Sequence, residues 1–136
     1  MSAPMLTLLV MDPPYERETT TTALRIVAAA LSAGRDVTVF AYEGAVSMTM
    51  KAQQPHANPV KGTSVDEEQH PTTKDWIASL MALASTHHAK LDWINCGLCV
   101  DERGAADAID GVRRGGPKDF YEAARASANV LVIPTH

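Results

Sequence analysis

The stretch MLTLLVMDPPYERETTTTALRIVAAALSAGRDVTVFA, Met5–Ala41, decides the fold. It opens with a continuous apolar run, Met5 to Val10, that stops at Asp12-Pro13-Pro14, where two prolines supply no ladder donors. That is a strand leaving into a loop. From about Glu18 the apolar period lengthens: Ala23, Leu24, Ile26, Val27, Ala30 and Leu31 share one helical face. Glu16 and Glu18 suit the positive end of that helix, and Gly34 stands where a C-terminal cap belongs. Asp36-Val37-Thr38-Val39-Phe40-Ala41, β-branched and apolar, is the next strand. Strand, helix and strand in succession make a βαβ unit, whose expected geometry is a right-handed parallel crossover.

The alternation continues outward from this unit. Gly44 to Met50 fits a short helix packing Val46, Met48 and Met50. Residues 52–72 hold Pro55, Pro59, Pro71, Gly62, His56, His70 and the cluster Asp66-Glu67-Glu68 with few apolar side chains, so a long mobile loop is expected there. Thr72 or Thr73 then caps a helix with Asp75 in its first turn and Trp76, Ile77, Leu80, Met81, Leu83 and Ala84 on its buried side. His87-His88 complement that helix's negative end. Leu91 to Asn95 is a third strand, followed by Cys96-Gly97-Leu98-Cys99 and a short helix or broken turn over 101–109. Gly115-Gly116-Pro117 restarts the chain, with Pro117 opening a helix that carries Phe120, Tyr121, Ala124 and Arg125. Val130 to Ile133 is the last strand, stopped by Pro134. Trp76 and Trp93 fall at periodic apolar positions and read as core. The expected architecture is α/β: a single domain over 1–136, a three-layer sandwich with a mostly parallel sheet of four to five strands covered on both faces.

With 136 residues, 46% of them hydrophobic, the chain is long enough to bury one real core. A formal charge of −4, with no basic cluster longer than Arg113-Arg114, argues against nucleic acid and anionic membrane as partners. No stretch approaches the roughly 18 apolar residues of a membrane helix. Met1-Ser2-Ala3-Pro4 has no basic region and Met5–Met11 is too short for a signal core, so a cytoplasmic location is expected. In that reducing compartment two cysteines are free, metal-bound or redox-active rather than a permanent staple.

Ligands of open parallel sheets gather outside the carboxyl ends of the strands. Three segments are placed there by this reading: Met11–Tyr15, Tyr42-Glu43-Gly44, and Cys96–Gly104. Asp12, Tyr15, Tyr42 and Glu43 are candidates for lining the site, against the plainer readings of Asp12 as a loop cap and of Tyr42 and Glu43 as ordinary loop residues. Gly97 permits a sharp turn that presents both sulfurs, and Gly104 ends that turn or lets a partner backbone approach. Arg103 is the nearest cation able to favour a thiolate, opposed by Asp101 and Glu102. A structural zinc site needs four ligands, whereas one cysteine pair stands here with His56, His70, His87, His88 and His136 and no second pair at finger spacing, so no metal is expected. Dithiol exchange suits a CxxC beside a βαβ unit, although thioredoxin-like pairs follow the first strand and this one follows the third. Inert core thiols in an interaction module are the remaining reading.

The segment CGLCVDERGA, Cys96–Ala105, directly after an apolar strand, resembles the active-site segment of the DsrE/DsrF-like family, which includes TusD-type sulfur-relay subunits. There a cysteine at the strand end is followed seven and eight residues on by Arg-Gly, as Cys96 is by Arg103-Gly104. TALRIVAAALSAGR (Thr22–Arg35), DVTVFAYEGAV (Asp36–Val46) and ASANVLVIP (Ala126–Pro134) are also similar to the family, which leaves only residues 52–72 outside the resemblance. The resemblance implies a DsrE/F-like fold and a sulfurtransferase-like cysteine that carries sulfane sulfur as a persulfide. It also implies no organic cofactor, sulfur donor and acceptor proteins or small persulfides as partners, and assembly as a homotrimer or homohexamer. By position Cys96 inherits the carrier role, with Cys99 as its partner. A CxxC redox or persulfide-responsive protein, and a non-catalytic oligomeric interaction module, stay open as alternatives.

Overall fold

The apolar runs become strands and their alternation sorts the core into two layers. The computed structural model describes residues 5–135, so the reading of the N-terminal tetrapeptide and of His136 falls outside the described residues. Its strands are β1 (Leu6–Val10), β2 (Val37–Ala41), β3 (Leu91–Cys96), β4 (Val112–Gly115) and β5 (Asn129–Val132). They form one sheet in the order β4-β3-β2-β1-β5, and every neighbouring pair is parallel. The helices are α1 (Glu18–Ser32), α2 (Val65–Glu68), α3 (Thr73–Thr86), α4 (Gly97–Arg103) and α5 (Pro117–Ala126), with a 3₁₀ helix at Glu43–Thr49.

Register aligns Leu8, Val39, Trp93 and Val112 across four strands, and this row packs with Ala23, Leu24, Val27 and Leu31 of α1 and Ile77 and Leu80 of α3. The neighbouring row, Leu9, Phe40 and Ile94, faces the other way because successive side chains alternate across a strand. It packs with Val100 of α4 and Phe120 of α5. Helix, sheet and helix layers result. Trp93 is fully buried, whereas Trp76 lies half-buried at the margin of the first layer.

The expected elements return with three differences. β4, Val112-Arg113-Arg114-Gly115, is a short edge strand without an apolar run, so periodicity passes over it. The helix expected over 101–109 instead begins at Gly97 and ends at Arg103, with Gly104 closing it at φ 63°. Residues 52–72 carry structure of their own: an Asn58–Thr63 bridge, then α2, capped reciprocally by Ser64 Oγ accepting from the Glu67 N–H (3.2 Å) and Glu67 Oε1 accepting from the Ser64 N–H (3.1 Å). Nothing in α2 is buried, so local hydrogen bonds rather than apolar packing organise it. Among the described residues no helix is long and apolar enough to cross a membrane.

Candidate functional site

Cys96 ends β3, opposite Gly115 of β4, and is the N-cap of α4, whose first turn holds Cys99. Residues three apart lie on one side of a helix, so both sulfurs turn the same way while Leu98 takes the outward position. Both are free thiols and both are buried, Cys96 3% and Cys99 6% exposed, whereas Leu98 is 74% exposed. This corrects the expectation of a glycine turn that presents the sulfurs: Gly97 belongs to the helix, and the thiols pack against Phe40, Val46, Ile94, Val100 and Ala105.

The backbone N–H of Glu43 donates to Cys99 Sγ at 3.1 Å. Glu43 is held in the left-handed region, φ 50°, a conformation side chains resist. The next residue, Gly44, lies so close to the β1 exit that an added Cβ would stand 2.9 Å from Pro13 Cδ. The exits of β1, β2 and β3 therefore converge: Pro13 on Gly44, Glu43 on Cys99. Burial pushes the Cys99 thiol up to about 11, reinforced by its hydrogen bond to Cys96; the Glu43 amide and the Arg103 charge pull the other way and are outweighed. The Cys99 thiolate is thus disfavoured.

Residues 5–133, all but the ends of the chain, match the DsrE/DsrF-like family. The chain belongs to the DsrE/DsrF-like family. None of the curated proteins matches the sequence. Among solved structures, the fold is similar to that of the YchN protein from E. coli, with a TM-score of 0.74, 18% identity, and coverage of 96% of this chain and 99% of that one. At that identity the likeness is one of fold.

Within this DsrE/DsrF-like fold, the remaining candidates separate. Tyr42 and Glu43 do join the cysteines: Glu43 through its amide, Tyr42 through a ring stacked on Phe40 (centroids 5.9 Å apart), which also meets Phe120 at 5.9 Å. Asp12 and Tyr15 engage other partners. Asp12 Oδ2 accepts from Thr19 Oγ1 at 3.0 Å and lies 3.9 Å from Arg17 Nη1, and Tyr15 Oη accepts from the Thr73 N–H at 3.0 Å. Arg103 Nη1 donates to the Cys99 carbonyl at 3.4 Å, and the space around Gly104 is open, which leaves that glycine the role of closing α4.

The residue that sequence reasoning missed is Arg114. Its Nη2 donates to the Gly97 carbonyl at 2.8 Å and pairs with Asp101 Oδ1 at 2.9 Å, which straps β4 to the start of α4. Had β4 been read as a strand, its register of Arg114 with Asn95, one residue before the cysteine, would have found it. Arg113, its neighbour, forks onto both oxygens of Asp92 at 2.9 and 3.0 Å and serves the sheet edge. Among the described residues no three His, Cys, Asp or Glu side chains gather as a metal site.

Proposed function

We propose that this DsrE/DsrF-like protein carries sulfane sulfur as a persulfide on Cys96, with Cys99 as its partner thiol, in a cytoplasmic sulfur relay. The observation that carries this reading is the place of Cys96 at the end of β3, where it caps α4 and stands seven and eight residues before Arg103-Gly104. Burial disfavours the thiolate of Cys99, which suits that residue to the partner's part.

In this scheme the Cys96 thiolate attacks the terminal sulfur of a donor persulfide R–S–SH. A new S–S bond forms, the donor's S–S bond breaks, and the donor leaves as its thiolate, giving Cys96–S–SH. An acceptor thiolate then takes the outer sulfur and returns Cys96 to its thiolate. Because both sulfurs are buried, α4 or the 42–44 loop has to move for a donor to reach them. Donor and acceptor are proteins or small persulfides. Assembly as a homotrimer or homohexamer is supported by apolar side chains left exposed in one chain: Leu98, Tyr121, Val130 and Val132.

The closeness of the two thiols, three residues apart at the start of α4 and in one buried cluster, favours a second reading. If Cys99, once deprotonated, attacks the inner sulfur of the persulfide, a Cys96–Cys99 disulfide forms and hydrosulfide leaves, which makes the protein persulfide-responsive rather than a carrier.

The test is to incubate the reduced protein with a persulfide donor and weigh it intact. The carrier reading expects one added sulfur on the wild type and none on the Cys96→Ser/Cys99→Ser double variant. A two-hydrogen loss with release of sulfide supports the second reading. An unchanged wild-type mass, or undiminished loading of the double variant, overturns both.

A further inference from the structure

The sheet face that packs with α5 keeps a cavity of about 210 Å³, walled by Leu9, Phe40, Tyr42, Pro117 and Phe120. Resting on the carrier reading above, we infer that this cavity receives the organic group of the sulfur donor, and that the donor is a small, uncharged, apolar persulfide of the benzyl type rather than a charged peptide persulfide.

The first argument is position. Phe40 sits in the same buried cluster as Cys96 and Cys99, and Phe120 and Tyr42 pack against that cluster. Tyr42 directly precedes Glu43, whose N–H donates to Cys99 Sγ at 3.1 Å. Pro117 stands two residues after Gly115, the strand partner of Cys96. The walls therefore lie one or two residues along the chain from a neighbour of each cysteine, at the carboxyl edge where open α/β sheets take ligands. Tyr42 is also part of the 42–44 loop, one of the two segments whose movement uncovers the sulfurs, so a group filling the cavity bears on that loop directly.

The second argument is the chemistry of the walls. Phe40 stacks on Tyr42 with 27° between the rings and meets Phe120 at 47°, both at 5.9 Å, so three rings offer faces and edges already set for a fourth. Among the described residues no Asp, Glu, Lys, Arg or His lines this cavity, unlike those bordered by Glu68, by Arg17, or by Lys90 and Asp92. A carboxylate or ammonium group seated here loses water and gains no partner. The third argument is size: an apolar cavity of about 150 Å³ already takes up benzene, so this one holds a single ring with its methylene and has no room for a tripeptide.

The step consumes no oxidant. The Cys96 thiolate attacks the outer sulfur of benzyl persulfide, the new S–S bond forms as the donor's own breaks, and phenylmethanethiolate leaves with the electron pair.

The experiment follows loading of the reduced full chain by intact mass, with benzyl persulfide, 2-hydroxyethyl persulfide and glutathione persulfide as donors. Each rate is divided by that of the same donor with free N-acetylcysteine. The inference expects benzyl persulfide to be favoured by at least about tenfold over either polar donor, and the ratio to fall to about threefold or less in Phe120→Ala, which enlarges the cavity, and Phe120→Trp, which fills it. A parallel measurement titrates the unreactive benzyl methyl sulfide into the Cys96→Ser/Cys99→Ser variant, where amide proton–nitrogen spectra should show shifts at Tyr42 and Phe120. Loading by none of the donors overturns the carrier reading and this inference with it. Loading without preference for the benzyl donor, a preference kept in both Phe120 variants, or spectra unmoved at Tyr42 and Phe120 overturns the inference alone.

Discussion

The backbone N–H of Glu43 meets the sulfur of Cys99 at 3.1 Å, joining the exit of β2 to the first turn of α4. Through it the cysteine pair belongs to two βα loops at once, and Gly44 against Pro13 adds a third. The site is a meeting of strand exits, as the parallel topology requires.

Gly44→Ala tests that meeting. The added Cβ would lie 2.9 Å from Pro13 Cδ, part of a rigid ring that cannot swing aside. The expected outcome is a loss of about 1–3 kcal/mol in urea unfolding, typical of overpacking, with faster alkylation of Cys99 in the folded protein. Wild-type stability and an unchanged rate contradict the account.

Alkaline pH tests the burial of Cys99. Its folded-state value of about 11 lies above the ordinary 9.0, so the stability it contributes is present below about pH 9 and is lost as pH rises toward 11. The loss is on the order of 2 kcal/mol. Urea midpoints measured across that window in wild type and Cys99→Ala should show the shallower decline in the variant; parallel declines count against a protonated, buried Cys99.

Arg114→Ala removes the strap on α4. Its partners are half-exposed, so stability falls by only about 1 kcal/mol or less. The cysteines nevertheless become more accessible, because the Gly97 carbonyl and Asp101 lose their common anchor. Alkylation kinetics check it: an unchanged rate means that α4 is held by its apolar contacts alone.

Asn95→Ala breaks a buried relay beneath the site. The Asn95 amide donates to Thr49 Oγ1 at 2.9 Å and accepts from the Trp93 indole at 3.2 Å, with Asn95 only 1% exposed. Orphaning those two groups costs about 2–4 kcal/mol, read as a shifted unfolding midpoint; a change below about 1 kcal/mol contradicts a relay that supports the β3 exit.

What the sequence made legible follows from where its signals are strong. β1, α1 and β2 stand in the chain almost as read, because an uninterrupted apolar run and a 3.6-residue period admit few other arrangements. β4 escaped because Val112-Arg113-Arg114-Gly115 is an edge strand defined by pairing, not by its own hydrophobicity. Chain order brings Tyr42 and Glu43 to the same sheet edge as the cysteines, but the contribution of Glu43 is its backbone amide, which carries no residue-type signal. The burial of both thiols depends on Phe40, Val46 and Phe120 arriving from three other elements. The place of Tyr15 after β1 makes it a candidate for lining the cysteine site, whereas its hydroxyl reaches across to α3 instead.

The central claim is that Cys96 is the carrier and Cys99 the partner. It is tested most directly by exposing the Cys96→Ser and Cys99→Ser single variants to a persulfide donor and locating the added sulfur by peptide mass. The account predicts that Cys99→Ser retains one extra sulfur on Cys96 and that Cys96→Ser retains none. Sulfur found on Cys99 in the Cys96→Ser variant, with none on Cys96 in the Cys99→Ser variant, contradicts it.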